Sequence, residues 1–133
     1  EAIEQDPNNA TLYFNLGVVN SQNGKKDEAK SYYEKTIEID PNFESGYLNL
    51  VSLILDKESS IVEEMNGLGN SKADNARYDV LKTSREDIYR ECVPILEKLI
   101  EVNKNEEAIK TLMNIYGTLG DNEGFMKMKA LIE

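Results

Sequence analysis

A 34-residue spacing constrains this chain more than any other feature of its sequence. Ala2-Ile3-Glu4-Gln5-Asp6-Pro7-Asn8 returns as Thr36-Ile37-Glu38-Ile39-Asp40-Pro41-Asn42, so the two prolines stand 34 apart. Downstream of each, Leu12-Tyr13-Phe14-Asn15-Leu16 is echoed at the same offset by Gly46-Tyr47-Leu48-Asn49-Leu50. A third copy of the first pattern reads Glu97-Lys98-Leu99-Ile100-Glu101-Val102-Asn103-Lys104-Asn105. A unit this short cannot enclose a core of its own. It must bury its apolar face against the next copy, which is the arrangement of stacked helical pairs. With 133 residues, 40% of them hydrophobic, the chain has enough apolar surface for one modest core built in this way.

The residues inside the first unit resemble the tetratricopeptide repeat. Tyr13, Leu16-Gly17, Ala29, Tyr33 and Pro41 stand where that repeat has a bulky aromatic, a Leu-Gly pair, a small residue, an aromatic and a proline. Gly24 falls in the turn between the two helices. The pattern has a physical basis: Gly17 and Ala29 are small where two helices cross closely, and Tyr13 and Tyr33 fill the gaps beside them. Pro41 ends the second helix because it has no N–H to donate. The match weakens along the chain. Asn20 sits where an aromatic is usual, and Val51 replaces a glycine. Leu112, Tyr116 and Gly120-Asp121 mark a last hairpin in which Phe125 occupies the small-residue place, with a register short by about one. The resemblance implies an all-α fold, a right-handed α-solenoid of antiparallel helix pairs. Residues 1–9 would end a preceding repeat, 10–43 form the first complete repeat, 44–104 a second with elongated helices, and 105–133 a degenerate or capping repeat.

The second unit is long. From Pro41 to Lys104 is 63 residues, 29 more than one period. Apolar residues at Leu50, Val51, Ile54, Leu55, Ile61, Val62, Met65 and Leu68 keep helical spacing. The run Asn66-Gly67-Leu68-Gly69-Asn70-Ser71 then interrupts it, and a second periodic stretch runs from Tyr78 to Ile100. This predicts a hairpin with both helices lengthened by about four turns, a projection of roughly 20 Å. Pro94 predicts a bend in the second of them. The stretch Tyr89 to Glu101 is similar to tetratricopeptide proteins of the Bacteroidetes type, in which an elongated hairpin leads into a closing short repeat. That resemblance implies an exported or cell-envelope protein without known catalytic activity; a cytoplasmic location is the alternative.

Charge and composition narrow the chemistry. Fifteen Lys and Arg against 25 Asp and Glu give a net charge of −10, which repels nucleic-acid phosphates and anionic membrane surfaces. No apolar stretch approaches the roughly 20 residues of a membrane-spanning helix. The absence of histidine removes Ser-His-Asp and most zinc chemistry, and the single Cys92 precludes an intrachain disulfide. Glu63-Glu64 and Glu106-Glu107 are adjacent on helices, so their carboxylates diverge by about 100° and do not converge on a substrate. Asp121-Asn122-Glu123-Gly124 and Asp74-Asn75 lack the alternating ligands of a calcium loop, and Gly67 and Gly69 have no Lys-Ser/Thr to complete a phosphate loop. Asn9-Ala10-Thr11 is a glycosylation sequon, relevant only in a secretory pathway. No cofactor or metal is expected, and the reading is of a chain that is not an enzyme.

By the resemblance, the first helix of each pair lines a concave face that holds peptides. The positions facing it would be Thr11, Phe14, Asn15, Val18 and Gln22 in one unit, and Ser45, Leu48, Asn49, Ser52 and Asp56 in the next. Asn15 and Asn49 are 34 apart and suited to hydrogen-bonding a ligand backbone. Lys110 and Asn114 imitate a carboxylate clamp in the last unit. An apolar stripe edged with asparagine suits an amphipathic or extended apolar segment. Phe14, Val18 and Leu48 are equally suited to being covered by other parts of the same chain. The expected partner is a protein or peptide; the alternative is a structural module that self-associates through an exposed repeat edge.

Overall fold

The computed structural model describes residues 8–133, and among these every regular element is a helix. Seven helices follow in order: α1 (Ala10–Gln22), α2 (Lys26–Ile39), α3 (Glu44–Leu55), α4 (Glu58–Asn66), α5 (Lys72–Val102), α6 (Glu106–Leu119) and α7 (Asn122–Ile132). The preceding repeat end expected at residues 1–9 falls almost wholly outside the described residues. Each helix packs mainly on its sequence neighbour, except that α3 reaches past α4 to pack on α5. The result is a solenoid of antiparallel pairs, α1–α2, α3/α4–α5 and α6–α7.

Local chemistry sets the boundaries. Asn9 caps α1 by accepting from Thr11 N (3.0 Å), Ser71 caps α5 through Asp74 N, and Asp121 caps α7 through Gly124 N. Gly24 and Gly120 close the α1–α2 and α6–α7 turns with φ of +77° and +76°, a conformation that a side chain disfavours. Pro41 follows the end of α2, and its carbonyl accepts from the Tyr47 hydroxyl at 2.8 Å, fixing α3 to the turn before it.

Within pairs, a glycine lies beneath a tyrosine ring. A Cβ on Gly17 would sit 2.5 Å from Tyr33, on the opposite helix, which is only 3% exposed. In the last pair the roles exchange: the tyrosine is Tyr116 on the first helix, and the glycine is Gly124 on the second, where a Cβ would stand 2.8 Å from the ring. The small residue opposite Tyr116 is therefore Gly124, one place before Phe125, which removes the conflict that Phe125 posed in the sequence. Between pairs, Gly46 on α3 backs onto Thr36 and Ile37 of α2. The core runs unbroken from Ala29 and Tyr33 through Tyr47, Leu50, Cys92, Leu96 and Leu99 to Leu112 and Tyr116.

The inserted residues lengthen the middle pair in two ways. α5 is continuous for 31 residues, about 46 Å, and its helix continues through Pro94. The other side is divided, because α3 ends at Leu55 and α4 begins at Glu58. The intervening Asp56 (φ −57°, ψ −28°) and Lys57 (φ −73°, ψ −20°) keep right-handed helical dihedrals, so the chain passes through a tightened turn rather than a reversal. Polar contacts tie the projection together. Arg77 on α5 forms a two-toothed pair with Glu64 (2.6 and 3.0 Å), and the Tyr89 hydroxyl donates to Glu58 while Arg85 Nε donates to that hydroxyl at 3.2 Å.

The glycine contacts make a signed prediction. Gly17→Ala gains helix propensity but forces a buried ring to move, and should lower stability by about 1–2 kcal/mol. Gly117→Ala on α6 meets Phe125 at an ordinary 3.6 Å and should raise it by about 0.5–1 kcal/mol. Urea unfolding midpoints of the two variants should move in opposite directions.

Candidate functional site

The first helices of the three pairs are α1, α3 and α6, and two hollows open along them. One, of about 350 Å³, has Val18, Ser21 and Gln22 from α1 on one side and Asn49, Ser52 and Leu53 from α3 on the other, with the Tyr33 ring and Lys26 between. The second, of about 370 Å³, lies between Leu48, Val51, Ser52 and Leu55 of α3 and Glu107 and Thr111 of α6, with Leu96 at its base. Ser52 and Asp56 line both, so the two hollows adjoin across these exposed side chains of α3 and are taken together as a trough. Its walls are aliphatic and hydroxyl-bearing. Lys26 and Asp56 pair across it and cancel one another's charge.

The residues singled out from sequence divide into three groups. Val18, Leu48, Asn49 and Ser52 all line the trough, as do Gln22 and Asp56. Asn49 is half-buried there, and its side chain has no hydrogen-bond partner among the described residues. Phe14 is instead packed in an aromatic cluster, its ring centroid 5.8 Å from Tyr33 and 5.1 Å from Phe43, and so serves the joint between the first two pairs. Thr11 and Asn15 are exposed on α1, outside the lining of both hollows. In the last pair Lys110 is exposed and salt-bridged to Glu106 at 2.9 Å, and Asn114 is exposed. The trough meets α6 at Glu107 and Thr111 instead, each three places before the expected residue. Thr111 carries no motif, and Glu107 stands out in the sequence only as half of an adjacent carboxylate pair. Their place follows from the packing of α6 on α5.

The joint beyond the trough is also polar. Glu44, at the start of α3, accepts from Asn103 Nδ2 at 2.6 Å with one oxygen and from Asn105 with the other. Asn105 Oδ1 meanwhile caps α6 by accepting from Ala108 N at 2.9 Å. One asparagine thus starts the last pair and fastens it to the middle one.

Reactive groups are held neutral and enclosed. Cys92 is fully buried, and burial pushes its thiol up to about 12, so it carries no appreciable thiolate at neutral pH. Burial likewise lifts Tyr116 to about 12, helped by Glu97, which accepts its hydroxyl proton at 2.9 Å. Glu64 and Glu106 are lowered by their cationic neighbours Arg77 and Lys110. Among the described residues no three Cys, Asp or Glu side chains are grouped to hold a metal ion. No described helix is long and apolar enough to cross a membrane.

Comparison with known proteins agrees with the first pair. Residues 10–43 match the tetratricopeptide repeat, a span that takes in α1, α2 and the following turn. Over 56 residues (42% of this chain, 6% of the relative) the sequence is 41% identical to the protein O-mannosyl-transferase Tmtc3 of Drosophila melanogaster. Over 78 residues (58% of this chain) it is 27% identical to the photosystem I assembly protein Ycf3 of Rippkaea orientalis, covering 43% of that protein. The chain thus spans less than half the length of either relative. Among solved structures it is similar to YrrB, described as a TPR protein with an unusual peptide-binding site, with 18% identity and a TM-score of 0.42 over 98% of this chain and 71% of that one.

The raised thiol and phenol predict a pH dependence. Once unfolded, Cys92 and Tyr116 ionise near their ordinary 9.0 and 10.0; folded, they hold their protons to about 12. The unfolded state therefore binds fewer protons above pH 9, and stability falls as pH rises from there. For Cys92 the loss at pH 10 is on the order of 1 kcal/mol. Cys92→Ala, which places at this position the residue found at Ala29, should flatten the decline in unfolding free energy between pH 8 and 10.

Proposed function

We propose that this tetratricopeptide-repeat chain is a non-catalytic scaffold that holds a segment of a partner protein in the trough across α1, α3 and α6. The observation that supports the reading is that Ser52 and Asp56 border both hollows, so the spaces beside successive first helices adjoin along one face. A continuous trough with aliphatic walls and spare hydrogen-bonding groups suits a peptide, which offers apolar side chains and backbone amides together. Val18, Leu48 and Leu55 supply apolar contact. Asn49, Ser52 and Thr111 supply donors and acceptors that accommodate many sequences. Cys92, the chain's one thiol, is buried and neutral, and so is not an activated nucleophile.

Self-association is the second reading. Met126, Leu131 and Ile132 on α7 are apolar and 57, 39 and 37% exposed, so the last helix leaves apolar surface uncovered. Light scattering across a hundredfold concentration range tests it: a mass that stays at 15.1 kDa removes self-association.

The trough is tested with a random 16-residue peptide library selected on the whole chain. Selected peptides should compete with one another, and Ser52→Arg, at the junction, should weaken them at least tenfold, about 1.4 kcal/mol. Ser52 is exposed, so circular dichroism and unfolding midpoint should stay unchanged. Peptides that bind Ser52→Arg as well as the parent chain would place docking elsewhere.

A further inference from the structure

The inserted hairpin meets the trough. A third hollow, of about 510 Å³, is bounded by Leu55, Glu58, Ser59, Val62, Glu63 and Asn66. Leu55 and Ser59 also line the 370 Å³ hollow, so the third begins where the second ends. The backbone explains the continuity. Because Asp56 and Lys57 keep helical dihedrals, the side-chain directions of α3 carry into α4, and positions 52, 55, 59, 62 and 66 follow one face at three- and four-residue steps. α4 buries none of its residues completely, and the Arg77–Glu64 and Glu58–Tyr89–Arg85 contacts fix it against α5 while that face stays open.

The charge on this longer lining is one-sided. Lys26 is the one cation bordering these three hollows and is paired with Asp56, while Glu58 is paired with Arg85 at 3.5 Å; a smaller hollow behind Lys26 and Leu53 adds Lys30, paired with Glu91, and Lys57. Glu63 on α4 and Glu107 on α6 are both exposed, and neither carboxylate has a partner among the described residues. They stand on different helices and border hollows that adjoin. Neighbouring acids across the whole chain, at a net charge of −10, reinforce rather than offset them.

The geometry points to a trough extended by α4, an added arm of about 13 Å, in which Glu63 and Glu107 select a cationic amphipathic segment of the partner. The inference rests on the trough being the docking site. Apolar residues of the segment would lie on Leu55 and Val62, and its lysines or arginines would answer the two carboxylates. Because both acids are solvent-exposed, their contribution is to orientation and rate of encounter, and it is screened by salt.

The peptides selected above supply the test. Their sequences should be net positive, with binding weakened by raising sodium chloride from 50 to 500 mM. Glu63→Lys and Glu107→Lys should each weaken binding about fivefold or more, while Glu34→Lys, an equal charge change on the exposed side of α2, should leave it within about twofold. Neutral or acidic peptides, or equal effects of Glu63→Lys and Glu34→Lys, would overturn the inference. In that event, continued loss of binding in Ser52→Arg keeps the trough as the docking site. Undiminished binding to Ser52→Arg removes the trough and the inference together.

Discussion

Tyr33 lies so close to Gly17 that a single methyl would stand 2.5 Å from its ring, and this contact determines how near α1 and α2 approach. The rest of the stack inherits the spacing. Tyr33 also faces Phe14, Phe14 faces Phe43, and Gly46 lets α3 press against Thr36 and Ile37. A wider first pair would move α3 and open or close the hollow between it and α1. The trough is therefore a by-product of core packing: its Tyr33 wall is the ring that holds the first pair together.

The pairs are unequal, and the inequality shapes the site. The outer pairs are compact and capped. The middle one carries a projection whose inner half is held by buried Leu81 and Tyr89 and whose outer half depends on polar contacts and half-buried side chains. Local stability should fall from the core of α5 toward the tip near Gly69, where exposed backbone and few buried side chains meet. A partner touching both α3 and α4 would bridge these two regimes.

Much of this was legible in the sequence because it is local. The 34-residue offset, Pro41, Gly24 and the Gly17–Tyr33 pairing are set by residues close together in the chain, and helical period alone locates the added residues of the middle hairpin. What was illegible depends on register between distant helices. Lys30 meets Glu91, and Glu44 meets Asn105, across 61 positions, and one sequence carries no record of either pairing. From sequence Phe14 suited either a ligand or cover by the same chain, and the choice depends on the turn before α3, which brings Phe43 onto its ring. Glu107 and Thr111 reach the trough through the packing of α6 on α5, while Lys110, which resembles a clamp, salt-bridges to its own helix.

α5 belongs to two structures at once. Its early turns carry α4, and its late turns receive α6, through Glu97 on Tyr116 among other contacts. A rod fixed to both has a single tilt, so pivoting about its midpoint swings the projection one way and the last pair the other. Pro94 marks where that stiffness is least, since its missing N–H leaves the Arg90 carbonyl without its helical donor. A change of tilt at one end of α5 therefore reaches the other only as far as the helix holds straight past Pro94.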